Sequence, residues 1–242
     1  MSEMETLKKW IDESNYIVFF GGAGVSTESN IPDFRSTDGL YNQKYDYPPE
    51  TILSHSFYIH RTKEFYRFYR DKMLFPEAKP NCAHLALAKL EEMGKLKAVV
   101  TQNIDGLHQA AGSKEVLELH GSVLRNYCIR CGKFFGLDDI LHSEGVPECD
   151  CGGIIKPDVV LYEEGLDDSI IRRSIDHIRR ADMLIIGGTS LTVYPAAGLI
   201  DYYGGDKLVL INKSVTSRDN QADLVICDSI GKVLGEAAGL EE

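Results

Sequence analysis

Short apolar runs recur along the chain, at Tyr16–Phe20, Leu96–Thr101, Met183–Ile186, Lys207–Ile211 and Leu224–Cys227. Runs this short, nearly continuous in Val, Ile, Leu and Phe rather than alternating with polar residues, belong to strands covered on both faces. Helical spacing appears beside them. Met4–Ser14 sets Leu7, Trp10 and Ile11 among charges, Asn81–Met93 carries Leu85, Leu87 and Leu90 with Gly94 as its stop, and Ser169–Arg180 is a third such stretch. Strands alternating with helices predict an α/β fold, a parallel sheet wrapped by helices.

Two regions break the alternation. Leu40–Phe75 lacks a clear strand, and within it Ser56–Met73 has a helical period rich in aromatics: Phe57, Phe65, Tyr66, Phe68 and Tyr69. Tyr127–Ile154 holds most of the cysteines. Both read as insertions that pack together as a smaller domain, which makes the large domain discontinuous. The expected division is 1–39, 76–126 and 155–242 for the large domain, with 40–75 as a helical module and 127–154 as a metal module.

The cysteine spacing is Cys128-x2-Cys131, then 17 residues, then Cys149-x-Cys151. Each short turn aims two thiolates at one centre, and two turns complete a tetrahedron. Gly132, Gly152 and Gly153 supply tight backbone there. Four soft thiolates select zinc, and a filled four-thiolate shell leaves no place for reactive water, so a structural zinc is expected. The single spacer Asp150 makes the second bite tighter than usual. Cys82 and Cys227 stand alone and read as small core residues.

Compartment bears on that reading. Met1–Trp10 is polar and mixed in charge, unlike a signal peptide, and no apolar run approaches the ~20 residues that span a bilayer. A cytoplasmic location is expected, where paired cysteines bind metal more often than they form disulfides. The formal charge of −11 carries no basic face for nucleic acid, so no direct nucleic-acid binding is expected. It does suit basic partners such as lysine-rich protein segments.

The run Tyr16–Phe20 leads into Gly21-Gly22-Ala23-Gly24. Gly22-x-Gly24 after a strand and before a helix can bring backbone N–H groups to a phosphate. Thr27 stands where a third glycine completes a dinucleotide fingerprint, and no phosphate-cradling lysine follows, so the turn alone also fits a role in packing. Gly188-Thr189-Ser190 and Asn212 end two other runs, and ligands of open parallel sheets sit at the carboxyl ends of strands.

Here the residues become particular. The segment Gly22-Ala-Gly-Val-Ser-Thr-Glu-Ser-Asn-Ile-Pro-Asp-Phe-Arg35 resembles the first signature of the sirtuins, the NAD-dependent protein deacylases. Thr101-Gln-Asn-Ile-Asp-Gly-Leu-His108 resembles the second, and Leu119-His-Gly121 the catalytic histidine segment. The four cysteines, Gly188-Thr-Ser190, Val193-Tyr-Pro195 and Asn212 follow in the family's order.

The resemblance implies a Rossmann-like domain with a small inserted domain made of a helical and a zinc module. It implies NAD consumed as co-substrate and an acetylated lysine in a protein or peptide as partner. The acyl oxygen attacks the nicotinamide ribose as nicotinamide leaves, and His120 serves as base for a ribose hydroxyl. The products are free lysine, nicotinamide and O-acetyl-ADP-ribose. Asn103 and Asp105 match catalytic-pocket positions. Gly22, Ala23, Gly24, Thr27, Phe34, Arg35, Gln102, Ile104, Asp105, Gly188, Thr189, Ser190, Asn212, Lys213 and Ile230 match NAD-contacting positions. Val160, Glu163, Val193 and Tyr194 match substrate contacts. A mono-ADP-ribosyltransferase and a desuccinylase-type deacylase are the alternative activities.

Two departures bear on substrate. Tyr162-Glu163-Glu164 stands where the family usually has Phe-Gly-Glu, in a loop that pairs with substrate backbone as an added strand. A carboxylate at Glu163 is expected to face the peptide and favour basic neighbours. Tyr66-x-x-Tyr69 stands where family members that remove dicarboxylic acyl groups have Tyr-x-x-Arg, so an uncharged acyl group is expected, with Arg70 one position further on.

Overall fold

A computed structural model describes residues 2–33 and 46–240. The chain opens with α1 (Glu3–Glu13), closed by a capping box in which Ser2 and Glu5 satisfy each other's backbone N–H groups. Then comes β1 (Ile17–Gly21), every residue of it buried. Three helices follow, α2 (Pro49–Ile52), α3 (His55–His60) and α4 (Thr62–Lys72). The single helical period expected over Ser56–Met73 is thus two helices, broken at Arg61, whose φ of −135° leaves the helical region.

Next are α5 (Cys82–Glu92), β2 (Leu96–Thr101), α6 (Leu107–Ala110) and β3 (Val116–Glu118). A second sheet begins with β4 (Gly121–Cys128) and β5 (Phe134–Phe135), passes through α7 (Leu137–Leu141) and ends with β6 (Ile155–Val159). The chain then returns through α8 (Asp168–Arg180), β7 (Met183–Gly187), β8 (Leu208–Ile211), β9 (Leu224–Ile226) and α9 (Ile230–Ala237).

The first sheet is parallel, in the order β3-β2-β1-β7-β8-β9. On one face Phe19, Ile185 and Val209 pack with Leu7 of α1, Leu87 of α5 and Val233 of α9. On the other, Phe20, Val100 and Ile186 pack with Ile178 of α8 and with Leu199 and Ile200 of the 3-10 segment Ala196–Tyr202. Each strand is covered on both sides, as its unbroken apolar run requires.

A third core joins the two insertions. Phe57, Phe65, Tyr66 and Tyr69 of the helical segment pack with Val123, Ile140, Ile155 and Val159 around the antiparallel sheet β5-β4-β6. That sheet reaches outward from 127–154 on both sides, to Gly121 and to Val159. Cys82 and Cys227 do not belong to any core: both are exposed. Cys82 is the first residue of α5, and the Cys227 thiol turns back to the Lys213 carbonyl at 3.5 Å. No described helix is long and apolar enough to cross a membrane.

Candidate active site

The carboxyl ends of β1, β2, β7 and β8 converge. The turn after β1 nests against the turn after β7, with the Gly22 N–H bonded to the Gly187 carbonyl at 3.3 Å and the Gly24 N–H to the Gly188 carbonyl at 2.8 Å. A Cβ on Gly22 would stand 2.8 Å from Thr189 Cβ, and one on Gly24 2.8 Å from Gly188 Cα. These glycines therefore serve loop-to-loop packing, and their N–H groups are not free to cradle a phosphate. The segment that follows is also not the expected helix. It is two 3-10 turns, Ala23–Val25 and Thr27–Ser29, with Thr27 Oγ1 bonded back to the Gly24 carbonyl at 3.0 Å. Serine and threonine compete in this way for backbone groups that a helix would otherwise use.

From this turn a polar chain runs inward. The Ser26 hydroxyl donates to Asp105 Oδ2 at 2.7 Å and accepts from Asn103 Nδ2 at 3.1 Å. Asp105 Oδ1 in turn accepts from the Leu107 N–H at 2.9 Å, which orders the start of α6. Ile104 places its carbonyl against the Val123 N–H at 2.9 Å, tying this loop to the second sheet. The sequence marks Ser26 only as one member of the first signature and does not show it as the hub between Asn103 and Asp105. Only the fold brings a residue of the first turn beside the loop after β2.

A second chain runs along the sheet edge. Gln102 Nε2 donates to Thr189 Oγ1 at 3.1 Å, and the Thr189 N–H donates to Asn212 Oδ1 at 3.0 Å. Ser190 is exposed, with its hydroxyl 2.8 Å from that of Thr192. The Asn212 amide nitrogen is buried without a protein partner. Hydroxyls and amides at strand ends, one of them an unused donor, form a set that suits the ribose hydroxyls of a dinucleotide.

His120 attaches to the second chain through Gln102. Its Nδ1 lies 2.9 Å from the Gln102 carbonyl oxygen. A carbonyl cannot donate, so Nδ1 carries the proton and Nε2 keeps a lone pair. Burial holds the ring below the usual imidazole range, opposed by the bond to Gln102. The His120 carbonyl accepts from the Val160 N–H at 3.0 Å. Gly121 beside it has φ +76°, and a Cβ there would overlap the Asp158 carbonyl.

Behind Asp105 lies a pair that the sequence did not announce. His84 and His108 are buried, with ring centroids 4.7 Å apart. Burial drives both down, His84 to about 4 and His108 to about 3. Asn81 fixes the start of α5 to the first turn through the Val25 carbonyl at 2.8 Å and Ser29 Oγ at 3.0 Å.

Other expected site residues stand apart from these chains. Ile230 is buried against Gly187. Lys213 is exposed, just beyond Asn212. Val193 accepts the Ala197 N–H at 2.9 Å, and Tyr194 is 64 % exposed with its hydroxyl 3.4 Å from Arg218. Glu163 turns its carboxylate to the N–H and hydroxyl of Ser56 rather than outward to a peptide. The backbone of Tyr162 is bonded to Leu53 and His55, so at that residue strand pairing is internal. Tyr66 and Tyr69 are fully buried, and Arg70 bonds to Ser143 Oγ and the Gly145 carbonyl. Phe34 and Arg35 lie outside the described residues.

The four cysteines do converge. Their sulfurs all lie within 4.8 Å of one another, with Cys128 to Cys151 at 3.4 Å and Cys131 to Cys149 at 3.7 Å. A tetrahedral zinc with bonds of about 2.3 Å separates its sulfurs by about 3.8 Å, so the set fits that ion, whereas a disulfide needs about 2 Å. The short Cys149-Asp150-Cys151 bite is accommodated by a turn in which the Gly152 N–H donates to Cys149 at 2.7 Å. Gly153 is obligatory, since a Cβ there would stand 2.6 Å from Cys128 Sγ.

The Sir2 family model matches residues 22–195. An NAD-dependent protein deacetylase of Clostridium acetobutylicum is 66 % identical over 238 residues, covering 97 % of each chain. One of Cutibacterium acnes is 53 % identical over 232 residues, covering 95 % of each. Among solved structures, a Sir2 complex with p53 peptide and NAD+ is 42 % identical with a TM-score of 0.86, covering all of both chains. A Sir2 complex with deacetylated p53 peptide and 3'-O-acetyl-ADP-ribose is 41 % identical with a TM-score of 0.89, covering 99 % of this chain and 100 % of that one. The chain belongs to the Sir2 family.

Proposed function

We propose that this chain is an NAD-dependent protein-lysine deacetylase that releases nicotinamide and O-acetyl-ADP-ribose. The observation that carries the reading is the 2.9 Å contact between His120 Nδ1 and the Gln102 carbonyl, which leaves Nε2 as a base. Bound NAD supplies the ribose carbon that accepts the acyl oxygen as nicotinamide departs. His120 takes the proton of a ribose hydroxyl at Nε2. Asn103 and Asp105, held through Ser26, border the nicotinamide side of the pocket, with Ile104 beside them.

Ala23, Thr27, Gln102, Gly188, Thr189, Ser190, Asn212, Lys213 and Ile230 hold the rest of the dinucleotide, joined by Phe34 and Arg35, while Gly22 and Gly24 shape the turn against Gly188 and Thr189. Val160, Val193 and Tyr194 border the acyl-lysine peptide. Zinc held by Cys128, Cys131, Cys149 and Cys151 braces the second sheet and takes no part in the reaction. The parallel sheet forms the NAD domain, and the two insertions form a smaller one. The substrates are acetylated proteins or peptides in the cytoplasm.

An uncharged acyl group is favoured because Tyr69 is buried and Arg70 is spent on Ser143 and Gly145, which leaves neither to pair with a distal carboxylate. The test is nicotinamide release from NAD with acetyl-lysine, succinyl-lysine and unmodified peptides, followed by mass analysis of the peptide. Release that depends on the acetyl peptide, with loss of the acetyl group, is expected. Gain of ADP-ribose on the peptide, or faster desuccinylation, overturns the reading.

A further inference from the structure

Glu163 has φ +76°, in the left-handed region where a Cβ is unfavourable and glycine is the common occupant. Its own side chain compensates. Oε2 accepts from the Ser56 N–H at 2.8 Å and from the Ser56 hydroxyl at 2.7 Å. These bonds hold the carboxyl below the usual range, so it is ionised at neutral pH.

The neighbouring residues are fastened to the same place. The Tyr162 N–H donates to the Leu53 carbonyl at 3.0 Å, and the His55 N–H donates to the Tyr162 carbonyl at 2.9 Å. The Glu164 carboxylate meets His55 Nδ1 at 2.8 Å, Lys156 Nζ at 3.2 Å and the Leu161 N–H at 2.9 Å. At its other end the segment is held to the candidate base, because the Val160 N–H donates to the His120 carbonyl. Val160–Glu164 therefore bridges from His120 to the start of α3, and Glu163 is the link whose backbone would otherwise relax.

We infer that Glu163 and Ser56 form a clasp that presets the Val160–Glu164 segment, so that Glu163 is a positioning residue for the acyl-lysine peptide and not a reader of charge on it. The peptide in this statement rests on the deacetylase reading; the clasp itself rests on the geometry alone. A preset segment spares the peptide the cost of ordering it, which acts on peptide binding and not on the chemical step.

The test uses Glu163→Gly, which removes the clasp and the backbone strain together, Ser56→Asp, which sets two carboxylates against each other, and Glu163→Gln, which keeps an acceptor oxygen. Two readouts are taken. One is hydrogen exchange of the amides of residues 160–165 without peptide. The other is the kinetics of nicotinamide release with a neutral acetyl-lysine peptide and with one flanked by lysines.

Glu163→Gly and Ser56→Asp should speed exchange and raise peptide KM about fivefold, the scale of one net hydrogen bond. The rise should be equal for both peptides, with kcat and the KM for NAD held within about twofold, and Glu163→Gln should stay near wild type. Unchanged exchange and KM in Glu163→Gly would overturn the clasp, as would a KM effect confined to the lysine-flanked peptide. Exchange is read without catalysis, so a wild-type protein that released no nicotinamide would defeat the deacetylase reading and leave the clasp to be judged by exchange.

Discussion

The carbonyl oxygen of Gln102 lies 2.9 Å from Nδ1 of His120 and decides which ring nitrogen carries the proton. Burial adds to this by disfavouring the charged ring. Because the shift is downward, His120 stays neutral, and able to act as base, to a lower pH than an ordinary imidazole. The acid limb of kcat/KM should therefore fall below the unperturbed value of about 6.5. An acid limb at or above that value contradicts the assignment. His120→Ala should lower deacetylation by about 10²–10⁴, the usual contribution of a positioned base.

Ser26 ties Asn103 and Asp105 to the first turn. Ser26→Ala removes the donor to Asp105 and the acceptor for Asn103 together. Loss of about 1–3 kcal/mol per buried polar group left unpaired corresponds to roughly 5- to 150-fold in kcat/KM. The thermal midpoint should fall as well, because Ser26 and Asn103 are buried and the unpaired groups cost the folded state. Unaltered nicotinamide release in the Ala variant contradicts this.

Gly121 and Gly145 both have positive φ, at +76° and +64°. Beside Gly121 a Cβ would overlap the Asp158 carbonyl, whereas beside Gly145 it meets open space. Gly145→Ala should cost only about 1–2 kcal/mol of left-handed strain. Gly121→Ala should cost more than about 3 kcal/mol and part His120 from Val160, since the β4–β6 pairing must shift. Urea unfolding of the two variants makes the comparison, and equal costs would contradict it.

The four-cysteine site should hold one zinc per chain. Structural zinc in peptides contributes roughly 10–16 kcal/mol of apparent binding energy, so chelation should melt the β5-β4-β6 sheet and abolish activity. Metal analysis alongside circular dichroism checks this. A metal-free protein with unchanged unfolding and full activity contradicts it.

The buried pair His84 and His108 ties stability to acidity. Their folded pKa values of about 4 and about 3 lie below the unfolded value of about 6.5. Between those values the unfolded chain binds more protons, so stability is full above about 6.5 and falls as pH drops through the window. Denaturant unfolding should show a loss on the order of 1 kcal/mol per histidine by pH 5.5, with a smaller slope in His108→Gln. A flat profile from pH 7.5 to 5.5 contradicts it.

Much of this was legible in the chain, because strands buried on both faces print unbroken apolar runs and helices print caps and stops. Asn81 and Gly94 bracket α5 as their chemistry dictates. What was not legible depends on partners far along the chain. The strand β3 has only Val116 and Leu117 between Glu115 and Glu118, prints no apolar run, and is recognised only by pairing with β2. The cysteine pattern pointed to convergence of four sulfurs but not to the sheet that carries them. Cys82 and Cys227 looked like core residues by type, and their exposure follows from where α5 begins and where β9 ends. Glu163 looked like a surface charge facing a peptide, and its partner Ser56 lies more than a hundred positions earlier.

The strand order has a consequence for synthesis. β1 is completed at residue 21, yet one of its two flanking partners, β7, begins at residue 183, about three quarters of the way along the chain. On the ribosome β1 can acquire β2 early but must wait with one edge unpaired while both insertions are made. Those insertions share a core of their own and can close during that wait. The nucleotide edge of the sheet, which needs the turns after β1 and β7 in contact, is thus among the last parts of the molecule to exist, and a truncated nascent chain would hold a metal before it could hold a dinucleotide.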